Sequence, residues 1–273
     1  MPKPDAQTKA VFMDEGGYVM QLTRADTKTG RGQSTIDPWA ESSDQKWPLG
    51  TLIRQGDRAW RYAKNGLVAL NVAAPVQQAA AAHAEQDDDI VVGAAAAIGA
   101  VEVELTSTAN LDAAPNETAD DFAEGYLIVN DGAGEGHMYT IKSNEAFSGT
   151  ADSTFTLYPD EALRVALTTS TSQVGLVRNP FYKTIATTAV VSGMVLGIPQ
   201  FAVTASYYYW LQTGGPAACV AQAAIALGTY AVVGTTAAKA DPSAAVTTEL
   251  YLGDPMTPGV ADTESFIVFL RFD

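Results

Sequence analysis

GYLIVNDGAGEGHMYTIKS, residues 125–143, is the stretch that decides the fold. The strand-forming run YLIVN and the alternating run MYTIKS flank a turn that contains Gly132, Gly134 and Gly136. Alternation with a period of two is typical of a strand with one buried face. Glycines at this spacing also occur in phosphate-binding loops, but such a loop must open a helix, and MYTIKS alternates instead. The stretch therefore predicts a glycine-rich β-hairpin.

Similar strand and turn patterns recur along the chain. Residues 51–72 predict a hairpin that turns at residues 55–57, and Asn65-Gly66 predicts a second turn with positive φ. Residues 101–106 alternate like a half-exposed strand. The run FIVFLRF at 266–272 is nearly continuous in apolar residues and predicts a final, buried strand. Because no long amphipathic helix is indicated, we expect a mainly β fold, an antiparallel β-barrel or sandwich.

The composition excludes several classes of partner. The chain of 273 residues has 16 Lys and Arg against 31 Asp and Glu, a net charge of -15. Such a surface repels phosphate backbones and anionic lipid, so we expect no nucleic-acid and no membrane partner. The apolar runs are too short to span a bilayer, and the N-terminus lacks the apolar core of a signal peptide, so we expect synthesis in the cytoplasm.

Few residues could carry catalysis. There are two His and one Cys, and no GxSxG, HExxH, Walker or CxxC motif occurs. Glu124, Asp131 and Glu135 could form a carboxylate pair, but acidic turns are common in so acidic a chain. Asp87–Asp89 predict a solvated turn rather than a cation site, and Cys219 lies in an apolar run that predicts a buried thiol. We therefore expect no enzyme, no cofactor and no metal.

Aromatic residues mark two stretches as candidate contact surfaces. The polar segment 1–50 predicts an extended arm, in which residues 23–35 carry Arg24, Lys28 and Arg31, and Trp39 and Trp47 follow. A large aromatic in such an arm docks either on the chain's own core or on a neighbouring subunit. A run of four aromatics then places rings on both faces of one strand: Tyr207, Tyr208, Tyr209 and Trp210. The second face must be covered by another part of the chain or by another subunit.

Three stretches resemble structural proteins of tailed bacteriophages: RYAKNGLVAL (61–70), residues 125–143, and GIPQFAVTASYYYWLQTGGPA (197–217). They are similar to proteins encoded beside the major capsid protein, which are assigned as capsid decoration or head-stabilising proteins. The resemblance covers residues 50–273 and lies in strand and turn patterns, with no catalytic motif.

The resemblance implies a β-tulip-like protein of the virion that binds the capsid exterior as a homotrimer and cements neighbouring capsomers. Its partners would be the major capsid protein and other copies of itself, after synthesis in the host cytoplasm. The capsid contact is expected at Arg24, Lys28, Arg31, Trp39 and Trp47, and the contact between subunits at Tyr207–Trp210. Deletion of residues 1–48 is expected to leave a folded protein that no longer loads onto heads.

The extra length relative to small decoration proteins predicts a division of the chain. Residues 1–50 form the arm, residues 51–89 with 181–273 form a β core domain, and residues 90–180 form a β-rich insertion or second domain. Two alternatives stay open. The chain could be a tail-tube or other virion structural protein, or a carbohydrate-binding head-fibre module with Trp39, Trp60 or Trp210 as stacking platforms.

Overall fold

The structure is a computed structural model that describes residues 36–79, 89–106, 118–146, 152–169, 171–243, 249–259 and 261–273, and the backbone of residues 11–13 and 19–21. In this part of the chain the regular structure consists of strands and one 3-10 turn, Pro159–Glu161. The ladders between named strands are antiparallel, which confirms the predicted mainly β, antiparallel fold.

The strands are, in chain order, β1 Val11–Met13, β2 Val19–Gln21, β3 Leu52–Gln55, β4 Arg58–Lys64, β5 Val76–Gln77, β6 Ile90–Val91, β7 Glu102–Leu105, β8 Tyr126–Asp131, β9 Met138–Asn144, β10 Ser153–Leu157, β11 Gln173–Val177, β12 Ile185–Ala186, β13 Val195–Gly197, β14 Tyr208–Val220, β15 Ala231–Val233, β16 Ala240–Pro242, β17 Tyr251–Pro255 and β18 Ser265–Arg271. They belong to two compact units. The first unit is Met1–Ala79 with Pro180–Asp273, and the second is Ala80–Asn179.

The first unit is organised around β14, a strand of 13 residues. Its nine-stranded sheet has the order β1-β2-β3-β4-β14-β18-β17-β15-β16, and a smaller sheet has the order β12-β5-β13. The β3–β4 hairpin turns at Gly56, as predicted, where φ is 62°. Both faces of β14 are covered from within this unit, because Trp210 packs in one apolar cluster while Tyr209 and Leu211 pack in another.

The second half of β14 forms a curled sheet with β15–β18. A parallel bridge joins Ala221 to Ala240, so β16 returns to the end of β14. One core fills this sheet: Val195, Ile198, Ala217, Cys219, Ala221, Ile225, Ala231, Ala240, Leu252, Phe266, Val268 and Leu270. The predicted final strand is β18, and it is buried on one face only. Ile267 is 42 % exposed, because only the alternate residues of β18 face this core.

The second unit is a six-stranded sheet, order β6-β11-β8-β9-β10-β7, which closes on itself as a barrel. Val92 bridges Leu105, and the amide of Gly93 donates to the carbonyl of Glu104 at 2.8 Å. The interior consists of alternate side chains from the strands and their connections: Ile90, Val92, Ala96, Val103, Leu105, Phe122, Leu127, Val129, Tyr139, Ile141, Phe155, Leu157, Leu163, Leu167, Val174 and Leu176. The alternation seen in the sequence is therefore the alternation between barrel interior and surface.

The hairpin predicted at residues 125–143 is confirmed as β8 and β9, which pair Ile128 with Met138. Its turn uses positive φ at Gly132, Gly134 and Gly136, at 77°, 92° and 83°. Glycine adopts this conformation without the steric cost of a Cβ atom. The loop thus returns the chain into a strand, as the alternation of MYTIKS indicates.

The turn predicted at Asn65-Gly66 is wrong. Positive φ occurs at neither residue. The Asn65 side chain is buried, and its amide nitrogen donates to the carbonyls of Val68 and Thr204, both at 3.0 Å. The amide of Gly66 donates to the carbonyl of Thr184 at 2.9 Å. Asn65 therefore satisfies buried carbonyls of neighbouring loops instead of reversing the chain locally.

Candidate functional site

The candidate site starts at a tight turn that displays Trp39. The amide of Trp39 donates to Asp37 Oδ1 at 2.9 Å, and the amide of Ala40 donates to the Asp37 carbonyl at 3.2 Å. This arrangement is typical of Asp at the start of a turn. Trp39 is 45 % exposed, and its ring meets the buried ring of Trp60 edge-on with centroids 6.1 Å apart. The turn therefore holds a large aromatic ring at the surface against a rigid strand.

The residues that follow are fixed to the start of β14. Ser42 and Tyr208 exchange two backbone hydrogen bonds, at 2.9 and 2.8 Å. The carboxylate of Glu41 accepts from the amide and the hydroxyl of Thr204, at 2.7 and 2.6 Å. Two independent anchors thus hold this segment in one position relative to the sheet.

Tyr62 of β4 is the centre of an aromatic cluster at this place. Its ring stacks on Tyr208 with centroids 5.9 Å apart, and it meets Trp210 edge-on at 5.0 Å. The hydroxyl of Tyr62 accepts from the amide of Lys46 at 3.0 Å. Residues 36–47, called the arm segment below, and the sheet together form a groove of about 260 Å³. It is lined by Ile36, Asp37, Ala40, Glu41, Ser42, Lys46, Trp47, Tyr62, Tyr208 and Trp210.

Basic side chains lie over aromatic rings beside this groove. The Lys64 ammonium lies 4.9 Å from the centroid of Tyr182 and 5.2 Å from that of Tyr208. The Lys183 ammonium lies 5.3 Å from Tyr182. Cations at such distances are attracted by the ring quadrupole, and the long side chains keep their charge at the surface. In a chain of net charge -15, this part of the surface combines positive charge with aromatic rings.

The structure brings two of the predicted stretches together. Trp47, only 7 % exposed, and Trp210, 4 % exposed, line the same groove, and Tyr208 forms part of its wall. Tyr207 and Tyr208 are half-buried. Arg24, Lys28 and Arg31 lie outside the described residues.

Tyr209 lies on the opposite face of β14 and is fully buried. Its hydroxyl shares a hydrogen bond of 2.9 Å with Thr184 Oγ1. Burial raises the pKa of Tyr209, against the opposing effect of that hydrogen bond. Of the four aromatics predicted to contact another subunit, two therefore retain exposed surface, Tyr207 and Tyr208.

Sequence reasoning missed the part played by Tyr62, Tyr182, Lys64 and Lys183. Tyr62 lies opposite Trp210 in the register of β4 with β14. No local signal identifies that pairing, because the two residues are far apart in sequence. The alternation of Trp60 and Tyr62 within one predicted strand was the available hint that two large aromatics occupy related positions.

The described residues offer little for metal or thiol chemistry. These ranges contain no group of three His, Cys, Asp or Glu side chains that could hold a metal ion. Cys219 is buried as predicted, and burial raises the pKa of its thiol. Within the same ranges no helix is long and apolar enough to cross a membrane.

Comparison with known proteins gives no family for this chain. No protein-family model matches it, and searches of the curated proteins and of the solved structures give no significant match.

Proposed function

We propose that this chain is a structural protein of a tailed-phage virion that binds the outside of the capsid and cements neighbouring capsomers as a trimer. The observation that carries the proposal is the aromatic groove with Trp39 at its side. The groove joins the arm segment to the first aromatic residues of β14, the two stretches that the resemblance to decoration proteins implies as contacts.

The groove has the features of a protein contact. Tryptophan and tyrosine held in a fixed position supply most of the binding energy of many interfaces, because they bury much area with little loss of side-chain freedom. Trp39 is held by the Asp37 turn and by Trp60 before any partner arrives. A volume of about 260 Å³ suits one or two inserted side chains of a partner better than a drug-sized ligand.

A trimer would make such a contact effective. A trimer presents three grooves, one on each subunit. Once the first groove has bound a capsomer, the other two bind at a high effective concentration. Tyr207, which directly precedes β14 and is half-buried, is the residue proposed for contacts between copies, since Tyr208 forms part of the groove wall. Weak individual contacts then give firm attachment to the lattice.

The carbohydrate-binding alternative is less well supported by the geometry. A sugar stacks on an open aromatic face, but the Tyr208 ring already carries Tyr62 and the Lys64 ammonium over it. Trp210 is almost fully buried. Trp39 is the described ring with the largest exposed fraction at this site, and its edge contact with Trp60 suits an inserting anchor.

Two measurements test the proposal. The copy number of this chain relative to the major capsid protein, from quantitative mass spectrometry of purified virions, is expected to be near one to one. A much lower ratio would assign the chain to a tail, a fibre or a vertex, and absence from the virion would contradict the proposal.

The second measurement is co-sedimentation of purified chain with heads that lack it. Trp39→Ala is expected to weaken binding at least tenfold, as loss of an interface anchor does. Met138→Ala is the matched control, since Met138 is 61 % exposed on the barrel. Wild-type binding by Trp39→Ala would exclude Trp39 as the anchor.

The predicted truncation at residue 48 is a poor test of the arm. Ile36 and Trp47 belong to the buried cluster that also contains Trp60, so their removal would open the core. A triple charge reversal, Arg24→Glu, Lys28→Glu and Arg31→Glu, tests the arm while Ile36 and Trp47 stay in place. Its control is the same reversal at three exposed basic positions, Arg54, Arg58 and Lys142. We expect the arm variant to lose head binding and the control to retain it.

A further inference from the structure

The two units of the chain carry very different charge. The unit Ala80–Asn179 contains 3 Lys and Arg against 17 Asp and Glu. The remaining residues contain 13 against 14, which together with the barrel unit gives the 16 and 31 of the whole chain. The barrel unit therefore has a formal charge of -14 and the first unit a charge of -1.

The carboxylates of the barrel unit cannot be neutralised within it. Its three basic residues can offset only three of the 17 negative charges, so the unit keeps a net charge of -14. One of the three, Arg178, is mostly buried beside Asp121, at 3.7 Å. The strand alternation directs Glu102 and Glu104 of β7 away from the core, and Glu135 is exposed in the glycine-rich turn. The surface of the barrel is thus rich in hydrated negative charge.

Exposed aromatic surface follows the opposite distribution. Among the described residues, the large aromatic side chains that are well exposed all belong to the first unit: Trp39, Tyr230 and Tyr251. The same unit exposes long aliphatic side chains almost fully, including Leu67 at 78 % and Val190 at 83 %. Contact surfaces of proteins are enriched in aromatic residues and depleted in Asp and Glu. The first unit combines exposed aromatic side chains with a nearly balanced charge, whereas the described part of the barrel exposes Ile98 and Met138 but no large aromatic, and its unit carries most of the net negative charge.

We infer that the first unit makes the contacts of this chain with the capsid shell and with neighbouring copies, while the barrel takes part in neither and remains in solvent. The inference rests on the proposed function. Burying carboxylates without partners costs several kcal/mol each. Copies with a charge of -14 on one unit also repel each other when these units approach within roughly 8 Å, the screening length at physiological salt. The first unit, with a charge of -1, has far less carboxylate desolvation and far less repulsion between copies to overcome.

The buried thiol of Cys219 makes this inference testable by labelling. A cysteine introduced at an exposed position is the only one that reacts with a maleimide reagent in the folded chain. Met138→Cys and Ile98→Cys place it on the barrel, at side chains 61 % and 69 % exposed. Leu67→Cys, Val190→Cys and Leu227→Cys place it on the first unit. Each full-length variant is labelled free and after loading onto heads.

We expect the two barrel positions to react at the same rate, within twofold, in the free and the loaded chain. We expect at least one of the three positions on the first unit to react at least tenfold more slowly after loading. Tenfold protection of a barrel position, or protection of none of the first-unit positions, overturns the inference and leaves the proposed function intact. A chain that does not co-sediment with heads removes the proposed function, and the inference with it.

Neutralising the barrel surface provides an independent check. The triple variant Glu102→Gln, Glu104→Gln and Glu135→Gln is expected to bind heads within twofold of wild type, because these carboxylates make no contact in the assembly. Loaded heads should at the same time migrate more slowly toward the anode in electrophoresis. A tenfold change in head binding would show that the barrel carboxylates contact a partner, and would overturn the inference.

Discussion

The barrel of the second unit and the sheet around β14 of the first bury their strands in different ways. In the barrel, β10 buries Ser153, Phe155 and Leu157 and leaves the residues between them half-exposed. In β14, Tyr209, Trp210 and Leu211 are buried in succession, because a different cluster covers each face. A period of two therefore identifies a strand with one covered face. A strand with two covered faces depends on segments supplied from elsewhere in the chain.

The largest expected effects come from substituting neighbouring residues of β14 and of β10 and comparing the free energies of unfolding. Tyr209→Ala and Trp210→Ala are each expected to lower the free energy of unfolding by about 3–5 kcal/mol, as loss of a buried aromatic does. In β10, Phe155→Ala should cost the same, whereas Thr156→Ala should cost less than about 1 kcal/mol. Urea unfolding followed by circular dichroism measures all four, without dependence on tryptophan fluorescence.

A small loss of unfolding free energy in only one of the two β14 variants would contradict the conclusion that both faces of β14 are covered. If Tyr209→Ala and Trp210→Ala differed as strongly as the two β10 variants, one face of β14 would be open in solution. If Trp210→Ala were the milder of the two, the segment around Trp47 would not cover the aromatic cluster in the free chain, and the groove would be absent there.

Two glycines of the barrel hairpin are expected to give losses of stability of intermediate size. Gly132 and Gly136 both have positive φ, but a Cβ on Gly132 would lie within van der Waals overlap of the Thr171 carbonyl, whereas one on Gly136 would meet no atom within 4 Å. Gly136→Ala should therefore cost about 1 kcal/mol, from backbone conformation alone. Gly132→Ala should cost about 3 kcal/mol, because crowding adds to that strain. Equal losses of stability in thermal unfolding would show that the Thr171 loop yields.

The smallest expected effect concerns an ion pair that spans β14 in the first unit. Arg61 of β4 donates from Nε to the Asp273 carboxylate at 2.9 Å, and Thr213 donates to it as well. Burial raises the pKa of Asp273, but these hydrogen bonds outweigh it, so the pKa lies below its ordinary value. The stabilisation is therefore complete above about pH 4, the region of the unfolded pKa, and is lost as the pH falls through the folded pKa.

Asp273→Asn tests this pH dependence. The variant should be less stable than wild type at pH 7, and the difference between their urea midpoints should shrink at pH 3. Asp262→Asn is the control, because Asp262 also pairs with a base, Lys239, but its side chain is 63 % exposed. Exposed pairs contribute little to stability. A constant difference between Asp273→Asn and wild type across this pH range would contradict the assignment.

The parts of the fold that the sequence predicted are those set by local chemistry. The hairpins at residues 52–64 and 126–144 combine alternating side chains with turn glycines, and both occur in the structure. The predictions for Asn65-Gly66 and for the burial of β18 failed, in whole or in part, because contacts with distant segments determine the structure there. Asn65 turns inward because carbonyls of Val68 and Thr204 need a donor. Ile267 is exposed because the core occupies one side of β18 only.

The sequence indicated several residues of the candidate site, but not that the fold brings them together. Trp39 and Trp47 stand out as aromatics in a polar segment, and Tyr208 and Trp210 stand out in a strand of four aromatics. The bridge between Ser42 and Tyr208 that brings them together joins residues from distant parts of the chain. Pairing over such a distance is selected by the packing of the whole unit, so no pattern within either stretch reveals it.

The bridge between Val92 and Leu105 joins the two end strands of the barrel sheet, β6 and β7, in the part of the chain that the structure describes. An open sheet ends in unpaired N–H and C=O groups, which recruit strands from other molecules and nucleate fibrils. In the barrel these groups bond to each other. Barrels of two molecules that meet side by side therefore have few strand hydrogen bonds left with which to join.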